Sequence, residues 1–176
     1  MSVTIEPILG RYAHIDIDGT PHRLYWEEAG EGIPLVCLHT AGSDGRQYRA
    51  VLNDPEITRH FRVMVFDMPR HGKSSPAAGT VDDDYRLTSD TYVAQIMAFC
   101  DAMALDRPVA MGCSIGGRIV LHLARRQKQV LTVGVVGDQK AESVPVGLHA
   151  TGDQVHARSD ADLAVAVFHQ LAIAQH

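Results

Sequence analysis

The chain has little of what marks several specialised protein classes. It carries three cysteines in 176 residues, Cys37, Cys100 and Cys113. An odd number inside apolar segments predicts reduced, buried thiols and excludes a disulfide frame. Basic charge is also scarce: 16 Lys and Arg stand against 21 Asp and Glu, for a net charge of -5 and a pI near 6.0. A nucleic-acid partner, which needs clustered cations for backbone phosphates, is therefore not expected. The one basic cluster, Arg125, Arg126 and Lys128, reads as a solvated helix end favoured by the helix dipole. No apolar run approaches the roughly 20 residues of a membrane span. Residues 1–7 lack a basic region followed by an apolar one, so the expectation is a cytoplasmic protein with no membrane partner. Metal-ligand spacing is missing too, since His149, His156, His169 and His176 lie 7, 13 and 7 residues apart. The length fits one domain rather than two. With 45% hydrophobic and 21% charged residues, the composition is that of an ordinary globular protein.

What is present is a G-x-S-x-G turn, Gly112-Cys113-Ser114-Ile115-Gly116, followed by Gly117. Residues 108–111 read as a short buried strand, and Ile119, Val120, Leu121 and Leu123 as the buried side of a helix. The motif is common by chance, and its bland reading is a structural tight turn. Between a strand and a helix it points instead to a nucleophile: the turn holds the serine backbone under strain, glycines admit close packing, and the helix start aims N–H groups at a developing oxyanion.

The surrounding pattern gives the architecture. Residues 12–17 alternate apolar and polar, Asp18-Gly19 supplies a turn, and residues 22–28 follow, which predicts an antiparallel hairpin. Residues 34–38 and 61–66 are nearly continuous apolar runs, as in parallel strands buried on both faces. Tyr92, Val93, Ile96, Phe99, Cys100 and Met103 recur at helical spacing, with Thr88 or Ser89 able to cap the start. The order predicts an α/β fold: a mostly parallel twisted sheet with an N-terminal antiparallel hairpin and helices on both faces. Gly72-Lys73-Ser74 suggests a phosphate-binding loop, but the first glycine of that motif would stand where Asp67 is, and Pro76 breaks the helix that should follow.

Together, residues 38–42, residues 67–74 and the serine turn, each after a predicted strand, resemble the α/β-hydrolase superfamily over residues 11–127. The nearest style is that of its enol-lactonase, cofactor-free haloperoxidase and meta-cleavage hydrolase branches. Thr40 and Arg70 depart from it, standing where the family usually has glycine. The resemblance implies a serine hydrolase of small carboxylic esters or lactones, with Ser114 as nucleophile and no cofactor or metal. By position it puts the oxyanion donors on the backbone of Ala41 and Ile115, gives His39 a structural role, and places the base near the C-terminus. For the triad carboxylate it suggests Asp153 first and Asp138 second, with His176 the stand-in for the base. Residues 128–176 are the uncertain part of a single domain spanning 1–176. Residues 129–137 read as a strand and residues 144–156 resemble the family's seventh strand and its acid loop, yet only residues 138–143 lie between them, too few for a parallel crossover. Phe168 is the sole aromatic after residue 126, and there is no room for a cap. The expectation is a truncated or altered member, with a non-catalytic binding or assembly module as the alternative and a homo-oligomer left open.

Overall fold

The computed structural model describes residues 5–77, 79, 86–124 and, for the backbone alone, 125–126 and 131–136. Strands β1 (Leu9–Ile17) and β2 (Thr20–Ala29) form the expected hairpin. Asp18 and Gly19 have φ of 51° and 79°, so both central residues of the turn are left-handed, which matches the twist of the paired strands. Asp16 closes the turn by accepting the Gly19 N–H at 2.8 Å.

Strands β3 (Ile33–Leu38), β4 (Phe61–Phe66) and β5 (Val109–Cys113) lie parallel, and β6 (Leu131–Val136) extends them. The order across the sheet is β1-β2-β4-β3-β5-β6, with β1–β2 and β2–β4 antiparallel. The mixed sheet and its helices bear out the α/β expectation. Alternation along the buried strands divides the core in two. Val36, Leu38, Met64, Phe66 and Ala110 face one layer, and Leu35, Cys37, Val63, Val65, Val109 and Met111 face the other. This is why both parities had to be apolar.

The first layer is covered by α3 (Ser89–Ala102) and α4 (Ile115–Arg126). Thr88 caps α3 by accepting the Thr91 N–H at 3.1 Å. Phe99 fixes the helix by stacking on Phe66 at 4.4 Å between centroids and meeting Trp26 edge-on at 6.2 Å. On the second layer lie a 3-10 turn (Gly45–Tyr48) and the short helices α1 (Arg49–Asn53) and α2 (Pro55–Thr58). No helix among the described residues is long and apolar enough to cross a membrane.

One topological fact positions the site. After β3 the chain crosses to β4 on one side, and after β4 it returns to β5 on the other, so the strand order reverses at β3. Open α/β sheets form ligand crevices at the carboxyl ends of the strands flanking such a reversal. The segments leaving β3 and β5, residues 39–44 and Ser114, begin there.

Candidate active site

Ser114 stands alone between the end of β5 and the start of α4, exposed, with φ of 53°. The left-handed conformation is costly for a serine, on the order of 1–2 kcal/mol. Neighbouring glycines allow the sharp turn around it. A methyl group on Gly112 would lie 2.5 Å from the Gly116 carbonyl oxygen and 2.6 Å from Gly117 N, so strand and helix touch through bare backbone. On Gly116 the same methyl would lie 2.9 Å from the carbonyl carbon of Leu38. Thus the first turn of α4 presses on the last residue of β3, and Leu38 pairs with Gly112 across the sheet. The G-x-S-x-G glycines are therefore needed for contact as well as for bending. Arg118 N–H donates to the Ser114 carbonyl at 2.9 Å, which starts the helix directly from the serine.

The segment after β3 is braced from four sides. Tyr48 donates to the Leu38 carbonyl at 2.8 Å, and the Thr40 N–H donates to Gln47 Oε1 at 2.9 Å. Tyr92 of α3 reaches the His39 carbonyl at 3.4 Å. His39, 2% exposed, donates from Nδ1 to the Thr40 carbonyl at 2.9 Å and accepts the Met68 N–H on Nε2 at 3.1 Å. Burial holds its pKa below the usual imidazole value, opposed by the Thr40 hydrogen bond, with the His71 ring adding to the depression. With both nitrogens engaged by backbone, His39 is unable to take a proton from a serine, in keeping with a structural role. Ala41 follows on the exposed surface, and Ile115, half-buried, begins α4.

The segment after β4 is organised by Asp67, which the sequence reading placed at the head of the 67–74 motif and gave no role of its own. Its buried carboxylate accepts Gly45 N–H on Oδ1 and Lys73 N–H on Oδ2, both at 2.7 Å, and so ties the two segments together. A methyl on Gly72, where φ is 50°, would meet the Asp67 Cγ at 2.6 Å. Ser74 Oγ donates to the Asp67 carbonyl at 2.6 Å and accepts the Tyr25 N–H at 2.8 Å. Lys73 extends over the Tyr25 ring at 4.1 Å. Gly72-Lys73-Ser74 is thus a knot between loop and hairpin, and the described residues directly after it, 75–77, are not helical as a phosphate-binding loop would require. Arg70 has φ of 68°, the conformation for which glycine is the easier residue.

Sequence reasoning also missed Glu27, buried in β2, which pairs with Arg49 at 2.8 Å and accepts from Tyr25 Oη at 2.7 Å. Nothing in an alternating strand distinguishes a charge aimed at a partner 22 residues away. Asp44 was missed as well, although an Asp before a helical turn is a capping signal. It accepts the Arg46 N–H at 3.0 Å and the Arg46 guanidinium at 2.7 Å, which hold its carboxyl down at about 2. Asp138, Asp153 and His176, with His149, His156 and His169, lie outside the described residues. Of the described cysteines, Cys37 and Cys100 are buried and Cys113 is half-buried, all as free thiols, and burial pushes Cys100 up to about 12.

A family model for the alpha/beta hydrolase fold matches residues 33–137, from β3 through the serine turn to β6. The chain belongs to this family. Among its relatives, a protein of Mycobacterium phage D29 described as a non-heme haloperoxidase is 31% identical over 69% of this chain and 43% of its own length. The 2-hydroxy-6-oxo-2,4-heptadienoate hydrolase of Pseudomonas putida is 30% identical over 62% of the chain and 40% of that enzyme. The pimeloyl-[acyl-carrier protein] methyl ester esterase of Vibrio campbellii is 26% identical over 62% and 40%. A solved N-acyl homoserine lactone degrading enzyme superposes with a TM-score of 0.55 at 27% identity, over 71% of this chain and 44% of that one. The chain spans less than half the length of these relatives.

Proposed function

We propose that this alpha/beta hydrolase cleaves small carboxylic esters or lactones by acyl transfer through Ser114. The observation that carries the reading is the left-handed Ser114 exposed between β5 and α4, at the point where the strand order reverses. Ser114 Oγ attacks the acyl carbon, and the N–H groups of Ala41 and Ile115 donate to the oxyanion that forms. A histidine takes the Oγ proton and returns it to the departing alkoxide. Water then attacks the acyl-serine, its proton passing through the same histidine, and the acid leaves with Ser114 restored. Asp153 is the first choice for the carboxylate orienting that histidine and Asp138 the second, with His176 as the histidine. The methyl ester esterase and the lactone-degrading relative both act on carboxylic ester linkages by name, which supports this substrate class.

A fluorophosphonate probe tests the reading, because labelling needs an activated serine and not merely an exposed one. Labelling is expected in the parent chain and absent in Ser114→Ala. A parent that stays unlabelled would overturn the proposal in favour of a non-catalytic binding module.

A further inference from the structure

Two hydrogen bonds fix the state of the His39 ring. The Thr40 carbonyl can only accept, so Nδ1 carries a proton; the Met68 backbone N–H can only donate, so Nε2 carries none. The buried ring is therefore neutral with its proton on Nδ1. What that proton holds is significant, because the carbonyl of Thr40 and the N–H of Ala41 are the two ends of one peptide group. In a planar trans peptide the two point in opposite directions, and the structure contains no cis peptide bond among its described residues. A carbonyl drawn towards the buried His39 ring leaves the Ala41 N–H facing away from it, on the exposed side of the loop where Ala41 lies.

We propose that His39 is a positioning residue for the oxyanion site: its Nδ1–H sets the tilt of the Thr40–Ala41 peptide and thereby aims the Ala41 N–H, while its Nε2 couples that peptide to Met68 after β4. The inference rests on the acyl-transfer reading of Ser114 and adds to it the group that orients one donor. A second donor, the Ser43 N–H at 3.2 Å, also reaches the Thr40 carbonyl and closes a turn over residues 40–43. It leaves the His39 bond as the stronger restraint, the shorter of the two and made by a buried ring. The groups facing the ring are few. His71 stacks obliquely at 5.1 Å between centroids, Asp67 and Asp44 act through their charge, and Tyr92 of α3 reaches the His39 carbonyl. A proton added at Nε2 would leave two donors, that nitrogen and the Met68 N–H, facing each other, so the arrangement needs the neutral ring.

Two substitutions separate the two bonds. An asparagine amide reaches about as far as Nδ1, and a glutamine amide about as far as Nε2. His39→Asn keeps a donor for Thr40 and loses the acceptor for Met68, whereas His39→Gln does the opposite. Fluorophosphonate labelling of Ser114 is expected to stay within a few-fold of the parent rate in His39→Asn. In His39→Gln it is expected to fall roughly ten- to a hundredfold, at or below the loss of a whole oxyanion donor. A structural role alone would predict slowing in proportion to lost stability, so unfolding midpoints of both variants are read beside the rates. Equal rates in the two variants, with a parent that labels, would overturn the inference and leave the Ser114 reading intact; a parent that does not label overturns both. Nitrogen-15 NMR of the parent imidazole gives a check that needs neither variant nor activity. A proton on Nδ1 is expected at neutral pH, and one on Nε2 would refute the geometry.

Discussion

Replacing Gly116 by alanine tests whether the serine turn is held by contact between backbones. The added methyl would sit 2.9 Å from the Leu38 carbonyl carbon and 3.0 Å from Leu38 Cβ, with the carbonyl oxygen closer still. Comfortable separations are about 3.5 Å or more, so β3 and α4 must part by roughly 1 Å. Leu38 is 1% exposed and belongs to the central strand, and its carbonyl also receives the Tyr48 hydroxyl. Relief by a side-chain rotation is therefore unavailable. Overpacking of this kind costs about 1–3 kcal/mol, and the rigid neighbours put Gly116→Ala near the upper end. Alanine recovers about 0.5–1 kcal/mol of helix propensity, leaving a net loss of about 2 kcal/mol. For a chain of this size that lowers the melting temperature by roughly 4–8 °C. Gly19→Ala is the matched control: nothing lies within 4 Å of its added methyl, and only its φ of 79° opposes the change, for about 1–2 kcal/mol. Thermal unfolding followed by circular dichroism compares the two. If Gly116→Ala melts within about a degree of the parent, the tight contact between α4 and β3 is not there.

Ser114→Ala is expected to abolish ester hydrolysis and probe labelling while shifting stability by less than about 0.5 kcal/mol; Ser114→Gly, free of the left-handed penalty, should unfold at higher denaturant than either. Asp67→Asn leaves one of the Gly45 and Lys73 N–H groups facing an amide NH2, and should cost about 2–3 kcal/mol in urea unfolding; a midpoint unchanged from the parent would show that the carboxylate does not join the two loops. For His39 the folded pKa lies below the unfolded value of 6.5. The unfolded state therefore binds the proton first, so this contribution to stability is complete above about pH 6.5 and is lost as pH falls towards the folded pKa. Urea midpoints at pH 7.5 and pH 5.5 should differ more in the parent than in His39→Asn, and equal differences would refute the assignment. Asp44, held at about 2 chiefly by the Arg46 hydrogen bond, adds a second loss only as pH falls from 3.8 towards 2.

The sequence by itself determined the elements and their kinds, because local chemistry decides them. Asp18-Gly19 can adopt the paired left-handed turn, Thr88 can cap α3, and the two-sided apolar runs of β3, β4 and β5 are stable only when covered on both faces. Ser114 was legible for the same reason, since a serine flanked by glycines between a strand and a helix is a pattern of adjacent residues. Tertiary structure decided what sequence separation hides. That Gly116 must lack a side chain because of Leu38, 78 positions earlier, follows only from the pairing of β3 with β5. The Asp67 carboxylate joins Gly45 to Lys73, and the His39 ring is read by Met68, through approaches that no periodicity records. A hydrogen bond depends on position to within tenths of an ångström, and that is set by the packed sheet rather than by the order of residues along it.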